Sequence, residues 1–405
     1  MFREKSETHQ HFLMLPSAIA QSHLTRLILV AQELQSRGAE VAFAYPEEHR
    51  FLKQLNFQVF QVPDVVITDF SSNVFAAYTP TLVEQCVKAE LDAIHRFQPD
   101  AIIGDFRLTA SISAKLAQIP YISVVNGYMT DYFDPVDVMI PQATRPLEHK
   151  IASVAARAIQ HKQKRDLAIP FRSVARQHGI RTLQSLYDFL TGDLTLIADL
   201  PEFCPLENLP KKFRYIGPLI WEGLNENIPT DLPDLDPQKS IIYATTGNTG
   251  KRRLIELVIA AFRDDPEFEV VITTGAFIDP HEFSQANNIH LKSFIPGSAM
   301  LRKANVVIHC GGNGTVYQAL QQGVPAIVIP FNNDQLINSW LIKKHQVGIP
   351  LSASGLTGNQ LKLVVKELLE NTEIYQNVQS FKALLSMANG AKSAADAIAS
   401  FLSTK

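Results

Sequence analysis

Cysteine is scarce in this chain: three residues in 405, Cys86, Cys204 and Cys310, all far apart. That excludes a disulfide framework and a CxxC zinc site, and it fits a reducing cytosol. Long apolar runs are missing too. The run Phe12–Leu15 is too short for a signal-peptide core or a membrane span, so a cytoplasmic protein is expected. There is no excess of one charge: 37 Lys and Arg face 40 Asp and Glu, a net of −3. A general nucleic-acid binder would be basic, so that class loses ground. Low-complexity tracts and solenoid repeats are also absent.

What is present is an enzyme-like balance, with 46% apolar and 19% charged residues. The length exceeds what one core usually serves, so two domains are expected. Strand-like HFLML (11–15) leads into HLTRLILVAQELQSRG, where Leu24, Leu27, Ile28, Ala31 and Leu34 recur at helical spacing and Gly38 stands at the C-cap. VAFAY (41–45), PDAIIGD (99–105), the helical SISAKLAQ and PYISVVN continue the alternation. Such a rhythm predicts a parallel sheet covered by helices. It restarts at SIIYATT (240–246), then passes through GNTG, RRLIELVIAAF, EVVITTG, ANVVIHC, TVYQALQQG and PAIVIPF. Between the two series, 221–238 is rich in Pro, Asp and Asn, which is linker composition. The expected division is therefore 1–220, a linker at 221–238, 239–385, and a weakly amphipathic helix within 386–405 that packs back on the first domain.

One stretch stands apart in charge. Arg145, Lys150, Arg157, Lys162, Lys164, Arg165, Arg172, Arg176 and Arg181 are opposed only by Glu148 and Asp166. A solvated helical face explains this; so does a peripheral contact with a membrane surface or an acidic acceptor.

The most informative segment is IHCGGNGTVYQAL (308–320). His309 and Cys310 are adjacent, so on a strand end they point opposite ways, and no second cluster lies at zinc spacing. No metal is assigned. A buried strand, a turn of glycines and a helix together present backbone N–H groups and a helix N-terminus to an anion. Thr315 adds a hydroxyl in the first turn. The run is not GxGxxG, because Tyr317 stands at the last position. Nor is it a P-loop, because no GK[ST] follows.

The His-Cys-Gly letters, the Gly314-Thr315 pair, GVP (323–325) and Asp334-Gln335 about ten residues on resemble the donor signature of the GT-B nucleotide-sugar glycosyltransferases. The similarity is to the inverting family that includes plant, antibiotic and carotenoid glycosyltransferases. It is specific over roughly 305–340 and extends in layout over nearly the whole chain. The resemblance implies an α/β fold of two Rossmann-like, doubly wound parallel-sheet domains facing a cleft. By motif position it puts Gly311, Gly312, Asn313, Gly314 and Thr315 around a diphosphate, with His309 at its edge, and Asp334 and Gln335 on the sugar hydroxyls. SFIP (293–296) offers Phe294 and Ile295 to the base, and Thr246, Gly247 and Asn248 approach the phosphates. Two departures stand out. Gln318 occupies the position where the family has a ribose-binding Glu. The family His matches either His309 or Cys310, with His309 favoured.

An acceptor hydroxyl needs a base, and an unperturbed His, with a pKa of about 6.5, suits that task. His23, after the first strand and loop, resembles the family's opening Gly-His or Ser-His. Asp105 ends the strand AIIGD as the family's Asp does, ahead of the turn IPY (119–121). In a doubly wound sheet both lie at the strands' C-terminal edge. The acceptor pocket is expected from 126–141 and 70–80, both aromatic and apolar. The resemblance thus implies a hexosyltransferase without resident cofactor or metal. It would move a sugar from a UDP- or dTDP-sugar to a small lipophilic or aromatic acceptor, with His23 as base and Asp105 orienting it. Two alternatives share the layout: a sugar-nucleotide epimerase, and a non-catalytic auxiliary partner of a transferase.

Overall fold

The computed structural model describes residues 10–65, 74–134, 136–139, 146–223, 232–247, 251–275, 277–284 and 286–404, with backbone only at 74, 137, 139 and 146–149. These form two compact units, Met1–Leu219 with Asn389–Lys405, and Ile220–Ala388.

The first unit is built on a wholly parallel sheet of β1 (His11–Pro16), β2 (Glu40–Tyr45), β3 (Gln58–Gln61), β4 (Ala101–Asp105), β5 (Tyr121–Val125), β6 (Leu194–Ile197) and β7 (Phe213–Tyr215). Its order is β3-β2-β1-β4-β5-β6-β7. The central strands are covered on both faces, which is why Phe12–Leu15 and Ala101–Ile103 are continuous apolar runs, all fully buried. The helix Gln21–Ser36 buries Leu24, Leu27, Ile28, Ala31 and Leu34, the predicted stripe, and Gly38 beyond it takes φ +89°. The order reverses between β1 and β4, whose register pairs Pro16 with Asp105. Chain leaving β1 therefore emerges beside the end of β4, at the topological switch point.

The last helix, Gly390–Leu402, packs on the helix Gln21–Ser36 in this unit. Arg37 pairs with Asp396 at 2.7 Å. A Cβ on Gly390 would stand 2.4 Å from the Pro218 carbonyl oxygen, so the close approach requires glycine.

The second unit repeats the plan. Strands β8 (Ser240–Thr245), β9 (Phe268–Thr273), β10 (Ile289–Lys292), β11 (Val306–His309), β12 (Ala326–Val328) and β13 (Gly348–Pro350) pair in parallel in the order β10-β9-β8-β11-β12-β13. His309 ends β11 opposite Thr245 of β8 and Val328 of β12. It too sits at the strand ends beside a reversal of order.

Candidate active site

In the first unit the structure brings His23 and Asp105 together. His23 lies in the first turn of its helix, and its Nδ1 is 2.7 Å from Asp105 Oδ1. Both are buried. Because Nδ1 meets a carboxylate it carries the proton, which leaves Nε2 as the basic nitrogen.

Arg26 completes the cluster, and sequence reasoning missed it. Its Nε donates to Asp105 Oδ2 at 2.7 Å, its Nη2 to Asp105 Oδ1 at 2.6 Å and its Nη1 to Asn126 Oδ1 at 2.8 Å. The signal was there: His23-x-x-Arg26 places both side chains on one helical face. Burial alone would raise the Asp105 carboxyl, but the Arg26 and His23 charges outweigh it and hold the carboxyl below its usual range. Asp199 extends the network, accepting from Gly127 N–H at 2.6 Å.

A second buried network braces the same edge. Arg107, two residues past Asp105, pairs with Asp64 at 2.7 Å and with Glu90 at 2.7 Å. Asp64 also accepts from Tyr78 at 2.6 Å and from Ala18 N–H at 2.8 Å. Glu90 also accepts from Thr109 and Ser113, both at 2.5 Å. One guanidinium thus ties the chain after β1, β3 and β4 to the helices Pro80–Phe97 and Ala110–Ala117. Between the two networks sits Phe106, with φ +53°.

The expected acceptor segments behave differently from each other. Within 126–141, of which 135, 140 and 141 lie outside the described residues, Tyr128, Met129, Phe133 and Val136 are buried and pack into their own unit. Of 70–80, residues 70–73 lie outside the described residues. Tyr78 is buried, and half-buried Phe75 meets the Phe106 ring edge-on, with centroids 6.1 Å apart.

In the second unit the glycine turn is shorter than the sequence suggests. The helix begins at Asn313, not Thr315, with Gly312 at the N-cap and no capping side chain. Asn313 and Gly314 therefore lie in its first turn. Gly311 takes φ +95°, and a Cβ there would stand 2.9 Å from Val328 Cγ1 and 3.0 Å from the Gln335 carbonyl oxygen. Gly312 and Gly314 have ordinary φ, and no described residue lies where a Cβ would be. His309 accepts the Gly311 N–H at Nδ1, 3.0 Å, so its proton sits on Nε2. That atom is buried without a hydrogen-bond partner among the described residues. Burial pushes the imidazole down to about 4, so the ring is neutral near pH 7. Cys310, its neighbour, is also buried.

The other donor-side residues are less uniform. Asp334 is exposed in the first turn of the helix Asn333–Lys344. Gln335 is buried, and its Oε1 accepts from Phe331 N–H at 2.8 Å. Thr246 is buried and donates to the Thr274 carbonyl at 2.8 Å. Gly247 takes φ +57°, while Asn248 lies outside the described residues. Phe294 is 59% exposed beside buried Ile295. Gln318 donates from Nε2 to the Trp221 carbonyl at 2.8 Å. A Glu carboxylate could not donate that bond.

Comparison with known proteins agrees with this architecture. The C-terminal part matches the family described as erythromycin biosynthesis protein CIII-like, C-terminal domain, over residues 258–391. A PGL/p-HBAD biosynthesis glycosyltransferase of Mycobacterium tuberculosis (strain ATCC 25177 / H37Ra) is 31% identical over 386 residues, 91% of this chain and 86% of its own. A PGL/p-HBAD biosynthesis rhamnosyltransferase of Mycobacterium bovis (strain BCG / Pasteur 1173P2) is 29% identical over 381 residues, covering 91% and 82%. Another Mycobacterium bovis relative of that strain, 31% identical over 62% of this chain and 70% of its own, is named an inactive glycosyltransferase. Among solved structures, the glycotransferase of kitacinnamycin superposes with a TM-score of 0.76 at 19% identity, over 96% of this chain and 98% of that one. Glycosyltransferase VinC in complex with DTDP gives 0.70 at 18%, over 96% and 98%.

Two doubly wound parallel sheets of this order, with these neighbours, define the GT-B fold. The chain belongs to the nucleotide-sugar glycosyltransferases of the antibiotic type. Its reaction is the transfer of a sugar, and it is a hexosyltransferase.

Proposed function

We propose that the chain is an inverting transferase in which His23 is the general base and Asp105 its orienting partner. The observation that carries this reading is the buried 2.7 Å contact of His23 Nδ1 with Asp105 at the switch point of the sheet. Asp105 fixes the tautomer, so Nε2 receives the acceptor's hydroxyl proton as its oxygen attacks the anomeric carbon. The bond from that carbon to the donor's diphosphate breaks, and its electron pair leaves with the diphosphate. Arg26 holds Asp105 ionised, so the carboxylate faces the imidazolium as it forms.

The leaving diphosphate is met by fixed dipoles. Gly312 leaves the helix N-terminus without a side-chain cap, and Gly312 and Gly314 let oxygens approach the backbone closely. The unpartnered Nε2–H of His309 is a buried donor at the same turn, which supports His309 over Cys310 in the family position. Asn313 and Thr315 complete the cradle. Gln318 serves the ribose through Oε1, since Nε2 is taken by Trp221. Asp334 reaches the sugar hydroxyls, and Gln335 shapes that turn from within. Phe294 and Ile295 frame the base. The donor is a UDP- or dTDP-linked hexose or deoxyhexose; the rhamnosyltransferase relative supports a deoxyhexose and the DTDP complex a dTDP carrier. The acceptor is a small lipophilic or aromatic alcohol or phenol.

The test is a mass-spectrometric screen of UDP- and dTDP-sugars against an acceptor panel, followed by His23→Ala on the best pair. Turnover should fall on the order of 10²–10⁴-fold, with donor binding unchanged. Wild-type turnover in that variant would overturn the assignment.

A further inference from the structure

The helix Pro146–Leu167 exposes a strip of apolar side chains along the first half of its outer face, with charged residues around and beyond it. Toward the protein it turns Ser153, Ala156 and Lys164, all buried. The Lys164 ammonium is satisfied there, 3.0 Å from Asp131 and 4.0 Å over the Tyr187 ring. Toward solvent it turns Ile151, Val154 and Ile159, exposed by 64%, 63% and 52%. Exposed Ala155 and Ala158 lie between them. Ile169, at the start of the next helix, is 50% exposed. A helix whose outer face met only water would not cluster isoleucine and valine there, and clustered exposed apolar side chains mark an interaction site.

The charges beside this strip are mostly positive. Lys150, Lys162 and Arg165 are exposed on the same helix. Lys162 is paired with exposed Asp166 at 2.9 Å, and Arg157 with exposed Asp134 at 2.5 Å. His161 is exposed there as well. No helix among the described residues is long and apolar enough to cross a membrane. Apolar side chains on one face with flanking Lys and Arg are suited to lying in the plane of a bilayer, with the isoleucines below the headgroups and the ammonium and guanidinium groups at phosphate level. A two-fold contact with a second copy would set this basic face against itself, which like charges oppose.

We infer that the outer face of 150–169 docks on an anionic lipid surface. The test is flotation of the purified full chain with phosphatidylcholine vesicles, with and without admixed phosphatidylglycerol, over a range of salt. The chain should float with the anionic vesicles only, and less so at high salt. Lys162→Gln with Arg165→Gln should weaken binding roughly 30-fold, at about fivefold per basic side chain. Ile151→Ser with Val154→Ser should abolish it. Both pairs are exposed, so thermal unfolding and turnover of a water-soluble acceptor should match wild type. Equal binding to neutral vesicles, or unchanged binding by both variants, would overturn the inference. So would absent binding, and a dimer that the Ile151→Ser and Val154→Ser changes dissolve would then assign the strip to a contact between copies.

Discussion

The rings of His23 and Phe106 lie parallel, with centroids 5.1 Å apart and planes 8° from coincidence. Phe106 reaches this position only by adopting a left-handed backbone, φ +53°, which costs a bulky residue about 1–3 kcal/mol. Its neighbours on either side, Asp105 and Arg107, are each locked in a buried ionic network. They hold the backbone between them in a conformation the side chain would not choose. We propose that the strain held beside this candidate base orients it.

Phe106→Gly separates the two roles. Glycine takes positive φ without strain, so relief offsets the lost ring contacts and stability should stay within about 1 kcal/mol of wild type. Turnover should nevertheless fall on the order of 10-fold or more, through kcat rather than donor KM, because the imidazole loses its flat support. Phe106→Tyr keeps the ring and should keep the rate. Full activity in the glycine variant, with His23→Ala inactive, would remove Phe106 from the mechanism and leave the base assignment standing.

Asp105→Asn tests the charge beneath the base. The variant keeps the shape but leaves Arg26 buried without its counter-ion, a loss of about 3–5 kcal/mol in chemical denaturation. Turnover should fall on the order of 10³-fold or more, as the amide supplies no charge to the imidazolium. The pH dependence has a definite sign. The folded carboxyl titrates below its unfolded value of about 3.9. Its contribution is therefore complete above that pH and is lost as the pH falls through the lower folded value. The asparagine variant should lack that component of acid unfolding.

These two clusters also mark how far the letters of the chain could be followed. His23 and Asp105 were legible through the family resemblance, because His23 opens the helix after β1 and Asp105 ends β4, and both positions converge on one edge of a doubly wound sheet. Arg26 was legible in principle from its helical spacing. Asp64, Glu90 and Arg107 were not: their contacts join loops and helices across 17 and 43 positions, and nothing in local periodicity pairs such residues. In the helix Pro146–Leu167 the basic composition was visible but the direction of its apolar face was not. Periodicity says which residues share a face; packing decides which face is buried. The helix start at Asn313 was hidden because glycines read as a turn, whereas here one of them is the cap and another is helical.

His309 should govern stability in mildly acidic solution. Its imidazole is held down at about 4 by burial, against about 6.5 unfolded. A depressed folded value means the unfolded chain takes up the proton first. Stability is full above about pH 6.5 and declines by about 3 kcal/mol as the pH falls to the folded value. His309→Gln should flatten that decline in denaturation curves between those limits. The same variant should weaken UDP or dTDP binding in calorimetry by roughly tenfold, the worth of one charge-assisted hydrogen bond. A pH slope equal to wild type would exclude His309 as its source.

The three neighbouring glycines should respond to alanine in two different ways. At Gly311 a methyl meets Val328 and the Gln335 backbone in a left-handed conformation, so Gly311→Ala should destabilise the chain by several kcal/mol at most and at least about 1 kcal/mol. At Gly312 and Gly314 a methyl meets no described residue. Gly314 is moreover in the first turn of a helix, where alanine is favoured over glycine by at most about 1 kcal/mol. The folded chain alone gives no reason for glycine at either position; a ligand pressed against the backbone does. Gly314→Ala should therefore raise the unfolding temperature while raising donor KM at least about tenfold, through the oxygens its methyl displaces. An alanine variant that is both more stable and kinetically normal would move the diphosphate away from this turn. It would leave the sequence Gly-Gly-Asn-Gly as a helix start and nothing more.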